Sequence, residues 1–209
     1  MALIANIETG HYRIPLPVAL SDSTHGVMTA FEVITVRVSD ADGQEGVGYT
    51  YTTGHNGGAV ADLARREIPE IVQGCDADLI EQLWQMVWWG LHYGGRGGPT
   101  VLALSAFDMA LWDLKANRAG LPLWKLLGGH DAAVPCYAVG IDLDLSVDDL
   151  LPQTDGNLEK GFRAIKCKAG REKMSEDIAR FSAMRRHLGD DFPLMVDANM
   201  KCSVDEAIR

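Results

Sequence analysis

The stretch AIKCKAG, residues 164–170, carries two lysines in an otherwise apolar and small-residue segment that ends in glycine. Lys166 and Lys168 are two positions apart, so on a β-strand both side chains point to the same face. Two ammonium groups on one face of a buried strand are costly unless something uses them. The spacing therefore predicts a parallel strand with a functional face, although the pair also fits an edge strand whose lysines face solvent.

A second polar pair, Asp197 and Asn199, lies in the stretch VDAN at residues 196–199. It repeats the i, i+2 spacing of the lysines after about 30 residues, which is the length of one strand–helix–strand unit. We therefore expect the two pairs side by side at the carboxyl ends of adjacent parallel strands, where barrel active sites are built. Taken alone, an aspartate in this position is more often a turn or helix-capping residue than a metal ligand.

Residues 1–128 predict an α+β domain in which a small antiparallel sheet packs on helices. Strands are expected at residues 31–38 and 45–52, joined by a turn at Asp42-Gly43. Apolar residues then recur at helical spacing, which predicts two helices. The first apolar stripe is formed by Leu79, Leu83 and Met86, and the second by Leu104, Phe107, Leu111 and Leu114.

In residues 129–209 the predicted elements alternate between strand and helix. This alternation predicts a parallel sheet with helices outside it. Strands are expected at residues 134–141, 162–168 and 193–199, with helices that begin near Ser146 and Ser203. The helix between the last two strands has a predicted apolar face of Met174, Ile178, Phe181 and Leu188. A complete (β/α)₈ barrel takes about 250 residues, so this part predicts only the beginning of a barrel.

The composition excludes several classes of protein. A formal net charge of −10 argues against a nucleic-acid-binding protein, because no basic stripe is present to follow phosphates. No segment approaches the ~20 apolar residues of a membrane span. Four scattered cysteines without a C-x-x-C pair predict neither a disulfide framework nor a structural zinc site. We therefore expect a cytoplasmic protein, with Cys167 as an apolar core residue.

The K-x-K strand, the V-D-A-N strand and the preceding α+β domain together resemble the enolase superfamily. Within it, K-x-K points to the mandelate racemase/muconate lactonizing enzyme family. Four phrases are most similar to its acid-sugar dehydratases, which act on aldarates such as talarate and galactarate. They are IPLP at 14–17, GVGYTY at 46–51, HYGGRGG at 92–98 and ALWDLK at 110–115. The resemblance implies an α+β capping domain on a TIM-like (β/α)₇β barrel. It also implies Mg²⁺-dependent removal of the proton α to a carboxylate, followed by loss of water through an enediolate.

The resemblance assigns roles residue by residue. Lys168 resembles the base that removes the α-proton, and Lys166 resembles its electrostatic partner, placed to contact the substrate carboxylate. Repulsion between the two ammonium groups favours a neutral, basic amine on Lys168. Asp197 resembles the first of three magnesium carboxylates, with the remaining ligands expected beyond residue 209. Asn199 is similar to a polar residue that contacts substrate near the metal.

In this family, two loops of the capping domain close over the barrel and bind the substrate. Here they correspond to residues 16–26 and 50–58, whose glycines suit a lid that moves. On composition alone the histidines in these loops are ordinary loop residues. Only the family resemblance makes them candidates for substrate binding. The candidate substrate-binding residues are Ser21, Asp22 and His25 in the first loop and Thr53 and His55 in the second.

Three alternatives stay open at this point. A racemase or epimerase acting on a 2-hydroxy acid would use the same proton abstraction without elimination, and a cycloisomerase is a weaker option. The third is a non-catalytic fragment or assembly module, because two metal carboxylates and an opposing His–Asp pair of the family fall on later strands. We expect the 209 residues alone to be inactive. The resemblance further implies a small carboxylate substrate and a homo-oligomer, without nucleic-acid or membrane partners.

Overall fold

The computed structural model describes residues 2–208 and divides into two compact units. The first unit comprises the residues up to Pro15 together with Ala30–Ala132. The second comprises Leu16–Thr29 together with the residues from Ala133 onward. A domain boundary between residues 128 and 129 stays a prediction, and each unit is described on its own below.

The first unit is built from a three-stranded sheet and a set of helices. The sheet has the order β1–β2–β3, and β2 and β3 pair antiparallel from Glu32↔Thr52 to Ser39↔Glu45. Its strands are β1 (Ile4–Asp22), β2 (Gly26–Asp40) and β3 (Glu45–Thr52), of which β1 and β2 extend into the second unit. The helices are α1 (Gly57–Asp62), α2 (Ile68–Val72), α3 (Ile80–Gly90), α4 (Pro99–Ala119) and α5 (Leu123–Leu126), with a π turn at Leu63–Glu67 and a 3₁₀ turn at His92–Gly94.

The core of this unit forms where α4 packs on the sheet. Alternate residues of β2 are buried, as expected of a strand with one face on the core. The predicted stripe of α4 is fully buried, which confirms that helix, and it ends at Gly120 in the left-handed conformation that suits a C-cap. The central core residues are Ile34, Val36, Val38, Leu104, Phe107, Leu111 and Leu114.

Two glycines of β3 allow the close approach of α4. A Cβ atom at Gly48 would overlap the carbonyl oxygen of Ala106, and one at Gly46 would overlap the backbone of Ala110 and Leu114. The partners are backbone atoms of a helix and cannot rotate away, so the sheet and helix would have to separate. Glycine at these positions is therefore a packing requirement.

We expect the substitution Gly48→Ala to destabilise the full-length protein by at least about 2 kcal/mol, because overpacking forces backbone shifts. The measurement is the free energy of unfolding in urea. Gly58→Ala is the matched control, since a Cβ there meets no described heavy atom within 4 Å. Its expected effect is within about 0.5 kcal/mol of wild type. Equal stability of the two variants would contradict the packing described for β3 and α4.

The second unit alternates strands and helices around a parallel sheet of order β4–β5–β6. In β5, Ile165 and Cys167 face the outer helices, where Cys167 is fully buried and burial raises the pKa of its thiol to about 11. This arrangement confirms the predicted beginning of an α/β barrel, and Cys167 lies in the apolar core as expected. The elements are β4 (Ala138–Val139), α6 (Val147–Glu159), β5 (Ile165–Lys168), α7 (Met174–Leu188), β6 (Leu194–Asp197) and α8 (Val204–Ile208).

Several details differ from the sequence-based expectations. Most of the loop predicted at residues 16–26 is strand, because β1 continues to Asp22 and β2 begins at Gly26. The strand predicted over residues 134–141 is reduced to the two residues of β4. In α3, Leu79 precedes the helix and is exposed, so the buried stripe is shifted to Ile80, Leu83 and Val87. In α7, Met174 and Ile178 are exposed, whereas the buried residues are Asp177, Arg180 and Met184.

None of the helices within residues 2–208 combines the length and the apolar character needed to cross a membrane.

Candidate active site

The parallel pairing of β5 and β6 brings the two predicted polar pairs together. The strands are in register with Lys168 opposite Asp197. The Lys168 ammonium donates to Asp197 Oδ2 at 2.9 Å and to Asn199 Oδ1 at 2.9 Å. An ammonium group has three donors, so two are used here and one remains for a further acceptor. The site therefore contains a buried lysine held in a fixed direction at the carboxyl end of the sheet.

Lys166 approaches the same carboxylate from the neighbouring inward-facing position. Its ammonium lies 3.1 Å from Asp197 Oδ2 and 5.7 Å from the centre of the Tyr137 ring, within cation–π range. The Lys166 side chain is 23% exposed, whereas that of Lys168 is 8% exposed. Because one carboxylate faces two ammonium groups, the cluster attracts an anionic ligand even in a protein with a negative net charge.

The hydrogen bond from Lys168, the backbone N–H of Asn199 and the hydrogen bond from Lys166 together hold the pKa of Asp197 far below its usual range. Asp197 is therefore an ionised carboxylate, and such hard oxygen ligands suit Mg²⁺. Asp197 Oδ1 accepts only the 2.9 Å bond from the Asn199 N–H in the described chain, which leaves it an acceptor position. Asp197 thus fits as one magnesium ligand. Among residues 2–208 no group of three or more His, Cys, Asp or Glu side chains is placed to hold a metal ion.

Asn199 adopts a backbone conformation that few residues tolerate. Its φ is 51°, in the left-handed region, which asparagine visits more readily than most residues. In this conformation its N–H bonds Asp197 Oδ1 while its side-chain oxygen accepts from Lys168. Asn199 therefore fixes both the carboxylate and the buried ammonium group, a role that fits its predicted place beside the metal.

The end of the β1–β2 hairpin belongs to the same unit as these strands. Ser21 forms a parallel bridge with Asp142, and Ser23 Oγ donates to the carbonyl oxygen of Ala198 at 2.8 Å. Asp22 is buried and accepts a 2.8 Å bond from His25 Nδ1. Burial opposes ionisation of Asp22, but its bonds from the backbone and ring of His25 outweigh burial and lower its pKa. The His25 ring is thus held by one nitrogen, and its Nε2 is the atom left for other contacts.

Thr53 and His55 belong to the first unit, in the loop between β3 and α1. Glu32 fixes both ends of this loop, because its Oε2 accepts from Thr52 Oγ1 at 3.0 Å and from the Gly57 N–H at 3.1 Å. The part of these residues in substrate binding stays a prediction.

Three buried charged residues next to Lys168 were not predicted from the sequence. Asp142 follows β4, and Asp177 and Arg180 lie one turn apart on α7. Asp142 Oδ1 accepts the backbone N–H of Lys168 at 2.9 Å, and Arg180 Nη1 donates to the Lys168 carbonyl oxygen at 2.9 Å. A signal for Asp142 existed in the sequence, since it follows a predicted strand of the same sheet. Asp177 and Arg180 could not be predicted as buried, because the apolar residues of α7 indicated a different buried face.

The sequence matches two family profiles. The profile described as "Mandelate racemase / muconate lactonizing enzyme, N-terminal domain" covers residues 6–128, and "Enolase C-terminal domain-like" covers residues 150–209. The chain is 58% identical over 207 residues to a 3,6-anhydro-alpha-L-galactonate cycloisomerase of Streptomyces coelicolor, which is 99% of this chain and 57% of the relative. It is 39% identical over 202 residues to an L-talarate/galactarate dehydratase of Salmonella typhimurium, which is 94% of this chain and 50% of the relative.

A similar solved structure is that of a racemase from Streptomyces coelicolor A3(2) with bound magnesium, with a TM-score of 0.97 and 58% identity. The match covers 99% of this chain and 58% of that one. The present chain therefore spans about half the length of the relatives that it matches. Magnesium is bound in that structure and in one of an L-talarate/galactarate dehydratase from Salmonella typhimurium LT2, and the part of Asp197 as a metal ligand stays a prediction.

Proposed function

Because the chain belongs to the mandelate racemase/muconate lactonizing enzyme family of the enolase superfamily, we propose that the full-length protein removes the α-proton of an acid sugar and then breaks its β carbon–oxygen bond. The observation that carries this proposal is the buried Lys168 ammonium, held at 2.9 Å by both Asp197 and Asn199. In its neutral form this amine can keep a hydrogen on each of these two partners, and its lone pair then lies in the remaining direction, placed to receive a proton from one face of a bound molecule.

Lys168 in its neutral form accepts the α-proton, and Lys166 lies beside it as a positive charge for the substrate carboxylate. Since the negative charge left by proton removal spreads onto that carboxylate, a fixed cation there stabilises the transition state more than the ground state. Asn199 contacts the substrate near the metal. The other proposed substrate contacts are Ser21, Asp22, His25, Thr53 and His55.

Asp197 is the residue of this chain that would hold Mg²⁺. A bound Mg²⁺ supplies Lewis-acid stabilisation of negative charge on the substrate carboxylate. Asp197 would hold this ion and already compensates the positive charge of Lys166 and Lys168, whose amines lie 3.1 Å and 2.9 Å from its Oδ2.

The reactions named for the two relatives differ in which oxygen leaves the β carbon. In both, the same carbon–oxygen bond next to the α carbon breaks. In an aldarate such as galactarate, the β carbon carries a hydroxyl group that takes up a proton and leaves as water. In 3,6-anhydrogalactonate, the β carbon carries the ring oxygen, so breaking the same bond opens the ring, and the oxygen takes up a proton and stays on C6 as a hydroxyl group. The first reaction is a dehydration and the second an isomerisation. Both give an enol that becomes a 2-keto-3-deoxy acid.

We propose 3,6-anhydro-L-galactonate as the first substrate to test, because identity to the cycloisomerase is 58% against 39% to the talarate/galactarate dehydratase. Dehydration of galactarate or L-talarate is the second candidate function. Racemisation of a 2-hydroxy acid is the third, and it would need a group that returns the proton to the opposite face.

Product analysis separates these candidates. The full-length protein with Mg²⁺ is incubated with 3,6-anhydro-L-galactonate, galactarate, L-talarate and a simple 2-hydroxy acid, and the products are identified by NMR and mass spectrometry. We expect the anhydro sugar acid to give a ring-opened 2-keto-3-deoxy acid of unchanged mass. Loss of water from galactarate without reaction of the anhydro sugar would assign the dehydratase. Inversion without loss of water would assign the racemase. No reaction and no α-proton exchange with any of the four would contradict the proposed function.

A further inference from the structure

Side chains, and not a neighbouring strand, form the hydrogen bonds to the backbone of Lys168 on the β4 side of β5. In β5 the N–H and C=O groups of even-numbered residues point toward β4, as shown by the bonds from Ala138 N–H to Ala164 O (2.9 Å) and from Gly140 N–H to Lys166 O (3.0 Å). The β4 strand ends before it reaches Lys168. The next pair of backbone groups in this row, the N–H and C=O of Lys168, therefore requires other partners.

Asp142, Asp177 and Arg180, here called the Arg180 cluster, supply those partners. Asp142 Oδ1 accepts the Lys168 N–H at 2.9 Å, and Arg180 Nη1 donates to the Lys168 carbonyl oxygen at 2.9 Å. The two side chains are linked, because Arg180 Nη2 donates to the Asp142 carbonyl oxygen at 2.8 Å and lies 3.5 Å from Asp142 Oδ1. Both backbone groups of the proposed base are thus fixed by one ion pair.

Asp177 extends this support past the end of the strand. Its Oδ1 lies 3.4 Å from Arg180 Nη1, and its Oδ2 accepts the N–H groups of Gly170 at 2.8 Å and of Arg171 at 3.0 Å. The segment from Lys168 to Arg171 is therefore held to α7 by one cation and one carboxylate.

The burial of the cluster argues against a purely stabilising role. The Arg180 side chain is 3% exposed and that of Asp142 is 2% exposed, and Arg180 Nε is buried without an acceptor in the described part of the chain. Buried ion pairs of this kind often give less stability than apolar residues of similar volume. A buried charge network with a cost of this sort is expected where it fixes a geometry that function requires.

We propose that Arg180 and Asp142 are positioning residues that fix the backbone of Lys168 and thereby the direction of its amine toward the substrate. This inference rests on the proposed role of Lys168 as the base. Neither residue contacts the substrate in this proposal, because both lie on the β4 side of the backbone while the Lys168 amine contacts Asp197 and Asn199.

The test uses the full-length protein with Mg²⁺ and measures kcat and KM for exchange of the substrate α-proton with solvent deuterium. Arg180→Met is expected to lower kcat by about 100-fold, the effect of a displacement near 1 Å at a reacting group. KM should change by less than about threefold, since the groups that bind the substrate are unchanged. Arg180→Lys keeps the charge and one donor and should restore part of the lost kcat, and Asp142→Asn should lower kcat by about 10-fold.

Arg185→Met is the matched control. Arg185 lies on the same helix and also donates to backbone carbonyl oxygens, those of Gly189, Asp190 and Phe192 at 2.7–3.1 Å, none of which belongs to β5. Its loss should lower the melting temperature without lowering kcat. An equal fall of kcat in Arg185→Met and Arg180→Met would overturn the proposal, as would a folded Arg180→Met variant with a wild-type kcat.

Two further outcomes are informative. If Arg180→Met does not fold, the kcat values of Arg180→Lys and Asp142→Asn test the positioning role in its place. Failure of all three variants to fold would overturn the positioning role in favour of a structural one. The Lys168→Ala variant separates this inference from the proposed function. Loss of exchange in Lys168→Ala with wild-type kcat in the cluster variants would overturn only the positioning role, whereas unchanged exchange in Lys168→Ala would overturn the function itself.

Discussion

Replacing Lys168 by alanine in the full-length protein is expected to lower turnover of the accepted acid sugar by at least about 1,000-fold, the middle of the range for loss of a general base. Lys168 is the buried member of the lysine pair, and its amine is held by Asp197 and Asn199 in one direction. Alanine removes the proton acceptor and leaves these two partners in place. The measurement is kcat with saturating substrate and Mg²⁺, with substrate binding measured separately by calorimetry.

Lys160→Ala is the matched control for this loss. Lys160 is exposed at the end of α6 in the same unit, so its removal takes away the same charge and the same aliphatic chain at a distant place. We expect wild-type turnover in that variant. A Lys168→Ala protein that binds substrate and retains more than about a tenth of wild-type turnover would contradict the assignment of Lys168 as the base.

Replacing Asp197 by asparagine is expected to weaken Mg²⁺ binding by at least about 100-fold and to abolish turnover. The substitution keeps the shape of the side chain but removes a carboxylate whose pKa is held far below its usual range by the bonds from Lys168, Asn199 and Lys166. Two ammonium groups within 3.1 Å of one oxygen would then face a neutral amide, so the lysine pair also loses its compensating charge. Calorimetric titration of the metal-free full-length protein with Mg²⁺ measures the loss.

Asp191→Asn is the control for this second prediction. Asp191 is exposed and precedes β6, at the end of the strand opposite to Asp197. It should bind Mg²⁺ with wild-type affinity. Wild-type Mg²⁺ affinity in Asp197→Asn would show that this carboxylate is not a metal ligand.

The central part of the site could be predicted because two simple periodicities are enough to place it. The i, i+2 spacing puts Lys166 and Lys168 on one face, and the length of a strand–helix–strand unit puts Asp197 and Asn199 beside them. The structure confirms that placement in the register Lys168↔Asp197. In the first unit, the i, i+3, i+7 and i+10 spacing of Leu104, Phe107, Leu111 and Leu114 was equally sufficient, because side chains at that spacing share one face of a helix, and all four are buried.

The supporting residues could not be predicted because their burial depends on where a neighbouring strand stops. The sequence predicted a strand over residues 134–141, which would have paired with Lys168 through its backbone. β4 is shorter, so Asp142 and Arg180 supply the hydrogen bonds instead. Periodicity of apolar residues placed Phe181 and Leu188 of α7 correctly against the core, but it also assigned Met174 and Ile178 there, and these two are exposed. The buried face of α7 includes Asp177 and Arg180, and Arg180 bonds the carbonyl oxygens of Lys168 and Asp142, which precede α7 in the sequence.

The most direct test of the account is exchange of the substrate α-proton in deuterium oxide, followed by NMR with the full-length protein and Mg²⁺. Proton abstraction by Lys168 predicts that, with at least one of 3,6-anhydro-L-galactonate, galactarate and L-talarate, wild type incorporates solvent deuterium at the α carbon of the recovered substrate or at C3 of the 2-keto-3-deoxy product. It also predicts that Lys168→Ala shows no incorporation with that substrate while Lys160→Ala matches wild type. Unchanged deuterium incorporation by Lys168→Ala with every accepted substrate would contradict the account.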